Sequence, residues 1–569
     1  MNGAQLLVEM LKAYRVEYVF GVPGDTSLPL YEALYGQQTQ VRHVMARDER
    51  SASVMADAYA RFSGKPGICE CPSGAGAIFS MAGVAEAFDA TRPLILITSD
   101  TALSGEGRNL ITELDVKRLF EPVTKASWLL KQVDKIPEMV RRAFRIATTG
   151  APGAVHLAVP SEVMTGTFGG DPSWIQADLS CTRYPALPFS APPRVIQSLA
   201  DLLVKAQRPV LISGGGAVQT KAGPQLLSLV ERLNCPLLNT MSGQGILPHN
   251  HPLFFGIIGD NGYHPHALKA LTEADLLVYI GCKMGSVSTI NWTCPPSPND
   301  PRIVQIDVDP RQLSNTYHNM LDVIGDAATV LRALNDLLAE SGAERKRSQW
   351  VQELSTERAA FWQASEALLT SDTLPIKGAR VVEALNRRLH SKTLVISDAG
   401  TPTPYVTRFL RLTHPDSDIH IPRSYGGLGY TIPALVGAHC AHPDAKLVGL
   451  FGDGSLGMSA GELETLARLS IPAVIIHFNN ASFGWIKALQ KIRSRGRYFS
   501  VDFTAGDPAL VAQGFGLTAL RAETGPELEA ALDQAFQANG PVFVDVKTES
   551  PHIDIPPIYC WQKETGEHE

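Results

Sequence analysis

The sequence is poor in the features that would place a protein in a membrane or on a polyanion. No 18-residue apolar run occurs anywhere in its 569 residues, so no segment is expected to span a bilayer. Basic runs of five or more are missing and the formal net charge is −7, so neither nucleic acid nor an anionic membrane is an expected partner. Cysteine is scarce and scattered: eight residues, none at zinc-site spacing, which excludes a disulfide framework and leaves free thiols. The N-terminal MNGAQLLVEMLKAYRVEYVFG lacks the unbroken apolar core of a secretory leader. Glu9, Lys12 and Arg15 interrupt it at the spacing of an amphipathic helix. A cytoplasmic location is therefore expected.

What is present is a long alternation of helical and strand patterns. In residues 1–165, QLLVEMLKAY and RSASVMADAYARFSG read as helices, and EYVFGVPG, PLILITSD and GAVHLAVP as strands. Cys69 and Cys71 lie in PGICECPSG, which alternates like a strand. Residues 166–192 are polar and Pro-rich and read as a linker. Residues 193–345 repeat the pattern with PVLISGGG, DLLVYIGC and RIVQIDVDP, and the charged segment 343–374 reads as a connecting helix. Residues 375–550 repeat it again with TLVISDAG, LVGLFGDG, AVIIHFNN and PVFVDVKT, before a tail at 551–569. Repeated βαβ units imply an α/β protein of three doubly wound parallel-sheet domains.

The chemistry concentrates where LVGLFGDGSLGM ends a strand. In open α/β sheets ligands bind beyond the carboxyl ends of the strands. Asp453 sits at such an end. Gly452 and Gly454 permit close approach of a ligand, and Ser455 adds a hydroxyl ahead of a predicted helix, SAGELETLARL. Asn480, in HFNN, follows Asp453 by 27 residues, the length of one strand, one helix and one strand, so both reach the same sheet edge. A carboxylate and an amide oxygen there would form half of a Mg²⁺ shell completed by phosphate oxygens. Each motif alone also reads as an ordinary turn.

GDG followed by NN resembles the thiamine diphosphate motif. FGVPG at 20–24, RDERSASVMADAYARFSGKPG at 47–67, PSGAGA at 72–77, RPVLISGGG at 208–216 and RSYGGLGYTIPALVGA at 423–438 follow, in order, the acetolactate synthase and pyruvate decarboxylase-like pattern. The resemblance implies a pyrimidine-binding, a middle and a diphosphate-binding domain. It implies that Glu49 hydrogen-bonds N1′ of the aminopyrimidine and that Leu428 props the cofactor into its bent shape. The Gly426 carbonyl would accept from the cofactor's amino group, and Pro23 and Gly24 would lie beside it. Gly400 and Thr401 would touch the diphosphate, with Gly452, Gly454 and Ser455 nearby. Asp453, Asn480 and the Ser482 carbonyl would hold Mg²⁺. It also implies a homodimer as the minimal active unit and a homotetramer as the assembly.

The pattern breaks in places. Thr112 stands where the family has glutamine, Phe79 where it has asparagine, and Thr401-Pro402 where it has Gln-His. Lys283-Met284-Gly285-Ser286-Val287 replaces the flavin-contacting run, so FAD is not expected. FGVPGD resembles the decarboxylases instead, which makes Asp25 a candidate proton donor, although Asp-Thr-Ser is also a helix-capping run. Trp485 and Lys487 follow the metal loop; the tryptophan is expected to pack. The implied activity is decarboxylation of a 2-oxo acid with carboligation. The alternatives are aldehyde release, a related C–C lyase or hydrolase, and a non-catalytic binding subunit.

Overall fold

The computed structural model describes residues 1–342 and 348–566. Among these residues eighteen strands form three six-stranded, wholly parallel sheets. The first sheet comprises Tyr18–Gly21 (β1), Arg42–Met45 (β2), Gly67–Pro72 (β3), Leu94–Asp100 (β4), Ser127–Leu129 (β5) and Val155–Pro160 (β6). The second comprises Pro209–Ser213 (β7), Leu237–Asn239 (β8), Phe254–Ile257 (β9), Leu276–Ile280 (β10), Ile303–Asp307 (β11) and Leu321–Ile324 (β12). The third comprises Thr393–Ser397 (β13), Asp418–His420 (β14), Lys446–Gly452 (β15), Ala473–Asn479 (β16), Thr518–Ala522 (β17) and Val542–Lys547 (β18).

The first and third sheets share one strand order, β2-β1-β3-β4-β6-β5 and β14-β13-β15-β16-β18-β17. The second runs β12-β11-β10-β7-β8-β9, which read from β9 is the 3-2-1-4-5-6 order of dinucleotide-binding folds, with its switch point between β7 and β10. The strands predicted from apolar runs are the central ones. Helices cover both faces of a parallel sheet, so such strands need no polar side. The edge strands β2, β12 and β17 carry mixed or largely exposed patterns and were not predicted.

The chain divides into two compact units. One contains Met1–Leu187 with Pro422–Ala445 and Ser459–Ile471; the other contains Pro188–Ile421, Lys446–Met458 and Pro472–Glu569. Two late helices, Thr431–Ala441 and Glu462–Arg468, therefore belong with the first sheet. Thr431–Ala441 lies against the helix Glu49–Ser63 so closely that a Cβ on Gly437 would sit 2.1 Å from the Met55 carbonyl oxygen. Only glycine allows that approach.

Three expectations are corrected. The stretch 166–192 is not a free linker: as far as Leu187 it belongs to the first unit, Cys181 is buried, and Tyr184 Oη donates to the Ala60 carbonyl (2.8 Å). SAGELETLARL is not one helix. A helix starts at Asp453 itself and ends at Ser459, and a second begins at Glu462 after Ala460-Gly461. The connecting helix spans Gln349–Leu369, and the part of that expectation on 343–347 lies outside the described residues.

PGICECPSG does form a strand, but β3 is buried on both faces rather than alternately. Glu70 in its middle is wholly buried. Its Oε1 accepts from Ser99 Oγ (2.9 Å), and burial pushes its carboxyl up to about 8. The acid is thus protonated at neutral pH in the folded protein and ionised in the unfolded chain. Folding takes up a proton between the ordinary glutamate range and about 8, and wild-type stability falls with rising pH across that window. Glu70→Gln cannot titrate. Its stability relative to wild type, from urea denaturation, should rise from pH 5 to pH 8 and then level off; a difference independent of pH would show that Glu70 is ionised in the fold.

Candidate functional site

In the second unit the sheet edge gathers the predicted metal residues. β15 and β16 are adjacent and in register, with Gly452 beside Phe478, so Asp453 and Asn480 emerge together at the carboxyl end of the sheet. Asp453 Oδ2 accepts from the Asn480 backbone N–H (2.9 Å), and Asn480 Oδ1 accepts from Ser482 Oγ (2.7 Å). Ala481 takes a left-handed conformation (φ 52°) that folds Asn480 and Ser482 back toward each other. Burial raises the Asp453 carboxyl above its ordinary range, opposed by His477 and by backbone donors. His477 Nε2 lies 3.5 Å from Asp453 Oδ1, while its Nδ1 contacts Asp545 Oδ1 at 2.8 Å. Asn480 Nδ2 is buried without a hydrogen-bond partner.

These donors suit a hard divalent cation. A carboxylate held up by burial, an amide oxygen and a carbonyl are oxygen ligands of the kind Mg²⁺ takes. Among the described residues no cluster of three His, Cys, Asp or Glu residues is placed to hold a metal, so this mixed set is the available one.

Gly400 follows β13 at φ 114°, a conformation that requires glycine, and starts the turn into the helix Pro402–Phe409. Thr401 is buried, and glycines surround it. A Cβ on Gly484 would stand 3.0 Å from Thr401 Oγ1, and one on Gly452 3.9 Å. Gly484 was not predicted; its only sequence signal is its place four residues after Asn480. Ser455 is buried within the short helix that Asp453 opens. Trp485 packs on Trp561 (4.6 Å between centroids), and Lys487 Nζ is committed to Asp502 (2.6 Å).

In the first unit Glu49 is the first residue of the helix Glu49–Ser63, capped by Asp48, whose carboxylate accepts from the Ser51 N–H (2.8 Å). Partial burial and the Asp48 charge raise the Glu49 carboxyl. A Cβ on Gly76 would lie 2.9 Å from Glu49 Oε1 and 2.7 Å from Pro72, and one on Gly24 would lie 2.6 Å from Pro72. Gly24, Pro72, Gly76 and Glu49 therefore form one patch. Asp25 is exposed in the following turn and does not cap it; Ser27 Oγ accepts from the Gly24 N–H (2.9 Å) instead. Thr112 packs on Gly74 and contacts Ser73 Oγ (2.7 Å), and Phe79 is 57% exposed.

Leu428 is half-buried, in a loop of the first unit. Its loop is held at both ends. The Ser424 and Tyr425 N–H groups donate to Glu86 (3.2 Å each), and Tyr430 Oη donates to Asp57 (2.5 Å), which also accepts from Arg92 (2.6 Å). Gly426 and Gly429 turn the loop at φ 65° and 83°. A further buried acid, Glu462, accepts from the Arg47 N–H (2.7 Å) and so fixes the strand leading to Glu49. Neither Glu462 nor the Asp57–Arg92–Glu86 group was predicted.

Comparison with known proteins agrees with this layout. Residues 1–119 match the thiamine pyrophosphate enzyme N-terminal TPP binding domain, 196–334 its central domain, and 398–546 its C-terminal TPP binding domain. The chain is 32% identical to a probable acetolactate synthase large subunit of Methanococcus aeolicus, covering 96% of this chain and 92% of that one. The chain belongs to the thiamine pyrophosphate enzymes of the acetolactate synthase and pyruvate decarboxylase-like superfamily. It is also 31% identical to the acetolactate synthase large subunit of Haemophilus influenzae and 29% to isozyme 3 of Escherichia coli, each over 97% of this chain and 96% of the relative. No helix among the described residues is long and apolar enough to cross a membrane.

The buried ion pair that supports the Leu428 loop is testable by itself. Asp57→Asn leaves the Arg92 guanidinium in the interior without its nearest charge partner, and such losses cost about 3–5 kcal/mol. Urea denaturation should show a drop of that size. A change under about 1 kcal/mol would mean that the pair is not a principal support.

Proposed function

We propose that the protein is a thiamine diphosphate- and Mg²⁺-dependent enzyme that decarboxylates a 2-oxo acid and joins the remaining acyl group to a second carbonyl, a reading supported by its likeness to proteins named acetolactate synthase. The observation that carries this reading is the convergence of Asp453, Asn480 and Ser482 at one sheet edge, while Glu49 and the Leu428 loop are built into the first unit. Bound thiamine diphosphate supplies the electron sink for breaking the bond between the carboxylate and the carbonyl carbon. The chain's residues do the rest. Asp453, Asn480 and the Ser482 carbonyl hold the cation, and Gly400, Thr401, Gly452, Gly454 and Ser455 admit the diphosphate. Glu49, its proton affinity raised by burial, holds a proton at N1′ of the aminopyrimidine. Leu428, with Gly426 beside it, sets the bend of the cofactor, and Pro23 and Gly24 border it.

We assign no FAD to the protein. Two backbone amides at the switch point of the second sheet are already used: Gly214 N–H donates to the Ile280 carbonyl and Gly216 N–H to the Gly281 carbonyl (2.9 Å each). The glycine run at 214–216 thus serves close packing on Gly281. A cytoplasmic homodimer, paired into a homotetramer, is the proposed assembly. The exposed Ile78, Phe79, Ile111 and Tyr425 of the first unit supply apolar surface for it. Aldehyde release is the second reading, favoured by the exposed Asp25 after FGVPG. Supplying a panel of 2-oxo acids and following CO₂, free aldehyde and coupled product separates the two.

Two mutants test the assignments. Asp453→Ala should lose thiamine diphosphate in fluorescence titration unless Mg²⁺ is in large excess; unchanged affinity would remove Asp453 from the cation site. Glu49→Gln keeps shape and hydrogen bonding but cannot take up the proton. It should retain the cofactor yet slow hydrogen–deuterium exchange at C2 of the bound cofactor by roughly 10²–10⁴-fold. Exchange at the wild-type rate would sink the role given to Glu49.

A further inference from the structure

One buried acid of the first unit takes no part in the site described above. Glu70 lies in the middle of β3 and is wholly buried. Its Oε1 accepts from Ser99 Oγ (2.9 Å), whereas its Oε2 is left without a partner. Burial pushes the carboxyl up to about 8, so it carries a hydrogen at pH 7. Ser99 already donates to Oε1, so that hydrogen belongs on Oε2 and needs an acceptor.

Tyr31 supplies one. It stands on the helix Leu28–Tyr35 and contacts the Glu70 carboxyl. A Cβ on Gly21 would lie 3.0 Å from Tyr31 Oη and 3.2 Å from Glu70 Oε2, so the two oxygens border one gap at the end of β1. Ser27 Oγ also contacts the carboxyl, but it donates to the Gly24 carbonyl (3.0 Å) and accepts from the Gly24 N–H (2.9 Å). On its other side Tyr31 Oη lies 3.0 Å from His43 Nε2, with the two rings edge to face at 4.7 Å between centroids. His43 is partly exposed on the edge strand β2. Acid, phenol and imidazole thus form one line from the interior to the surface.

The surroundings keep all three groups neutral at pH 7. Glu49 adds to the effect of burial on Glu70, and burial holds the flanking Cys69 and Cys71 thiols neutral. Burial and the Arg468 charge hold His43 at about 4. Arg468 itself donates to the Met45 carbonyl (2.6 Å) and to Glu464 (3.1 Å). Burial raises the Tyr31 phenol far above its ordinary range, so it gives up a proton only while taking another. Each group then has one consistent role. Glu70 donates to Tyr31, Tyr31 donates to His43 Nε2, and the ring hydrogen of His43 lies on Nδ1.

We propose that Glu70, Tyr31 and His43 form a proton relay between the interior of the first unit and solvent. When Glu70 ionises, its Oε2 proton passes to Tyr31 Oη, the Tyr31 proton passes to His43 Nε2, and Nδ1 releases a proton to water. Every hydrogen bond is replaced, because Tyr31 then donates to the carboxylate and Nε2–H donates to Tyr31. One proton leaves the protein and His43 stays neutral, yet its hydrogen has moved from one ring nitrogen to the other. The Glu70 and Glu49 charges repel, so ionisation of either raises the proton affinity of the other. A proton bound at Glu49 therefore favours release of one through His43.

The test is the ¹⁵N spectrum of the full chain labelled in histidine, followed from pH 6 to pH 10, with the His43 signals assigned by their loss in His43→Gln. Wild type should change from the Nδ1–H to the Nε2–H form with a midpoint at about 8. Glu70→Gln should stay in the Nδ1–H form throughout. Tyr31→Phe, which breaks the line but keeps the ring, should show no change of His43 tautomer over that range. Circular dichroism should be unaltered in both variants. If Glu70→Gln does not fold, Tyr31→Phe decides. The measurement needs no cofactor, so its outcome is separate from that of the proposed function. A wild-type ring that keeps one tautomer, a ring that gains a charge, or a switch that persists in Glu70→Gln or Tyr31→Phe would overturn the proposal.

Discussion

The buried contact between Asp57 and Arg92 organises the first unit. Asp57 lies in the helix that begins with Glu49 and Arg92 lies just before β4, and the pair draws in Tyr430 and Glu86 from either side. An isolated charge at that depth would cost several kcal/mol. The group persists because each member gives another a partner. Its consequence is positional. Glu86 takes the N–H groups at one end of the Leu428 loop and Asp57 takes the hydroxyl at the other. The helix carrying Glu49 and the loop carrying Leu428 are thereby fixed to one core.

Close backbone approach does the corresponding work elsewhere. Gly437 lets two helices touch, Gly76 clears space for the Glu49 carboxylate, and Gly484 clears space beside Thr401. None of these glycines adopts a positive φ, so each is required by a neighbour rather than by a turn. The glycine run at 214–216 is the same kind of case. It looks like a phosphate loop, yet the Gly214 and Gly216 amides are spent on the backbone carbonyls of Ile280 and Gly281. A glycine-rich motif therefore acquires meaning only when the direction of its N–H groups is known.

Depth of burial also sorts the acids. Glu70, Asp453 and Glu462 are all shifted upward by desolvation, but their surroundings differ. Glu70 has a serine partner, and burial keeps it neutral at pH 7. Asp453 faces oxygen donors and a histidine at a sheet edge, where a bound cation would restore its charge. Glu462 spends its oxygens on the Arg47 N–H and on Thr465 Oγ1 and acts as a clamp.

Much of the architecture was legible in the sequence because its causes are local. Apolar runs of strand length separated by amphipathic helices specify buried parallel strands wherever they fall. The interval from Asp453 to Asn480 placed both at one edge because a βαβ unit has a fixed geometry. The edge strands β2, β12 and β17 escaped notice because their exposed residues remove the apolar signal. Other features were set by tertiary structure alone. Arg47 and Glu462 are 415 residues apart, Asp57 and Tyr430 373, and Glu86 and Ser424 338. No periodicity links such positions. The return of Thr431–Ala441 and Glu462–Arg468 to the first sheet likewise depends on which surfaces fit once both are folded. Residue spacing fixes which edge of its own sheet a side chain reaches, whereas the identity of its distant partner is decided by packing.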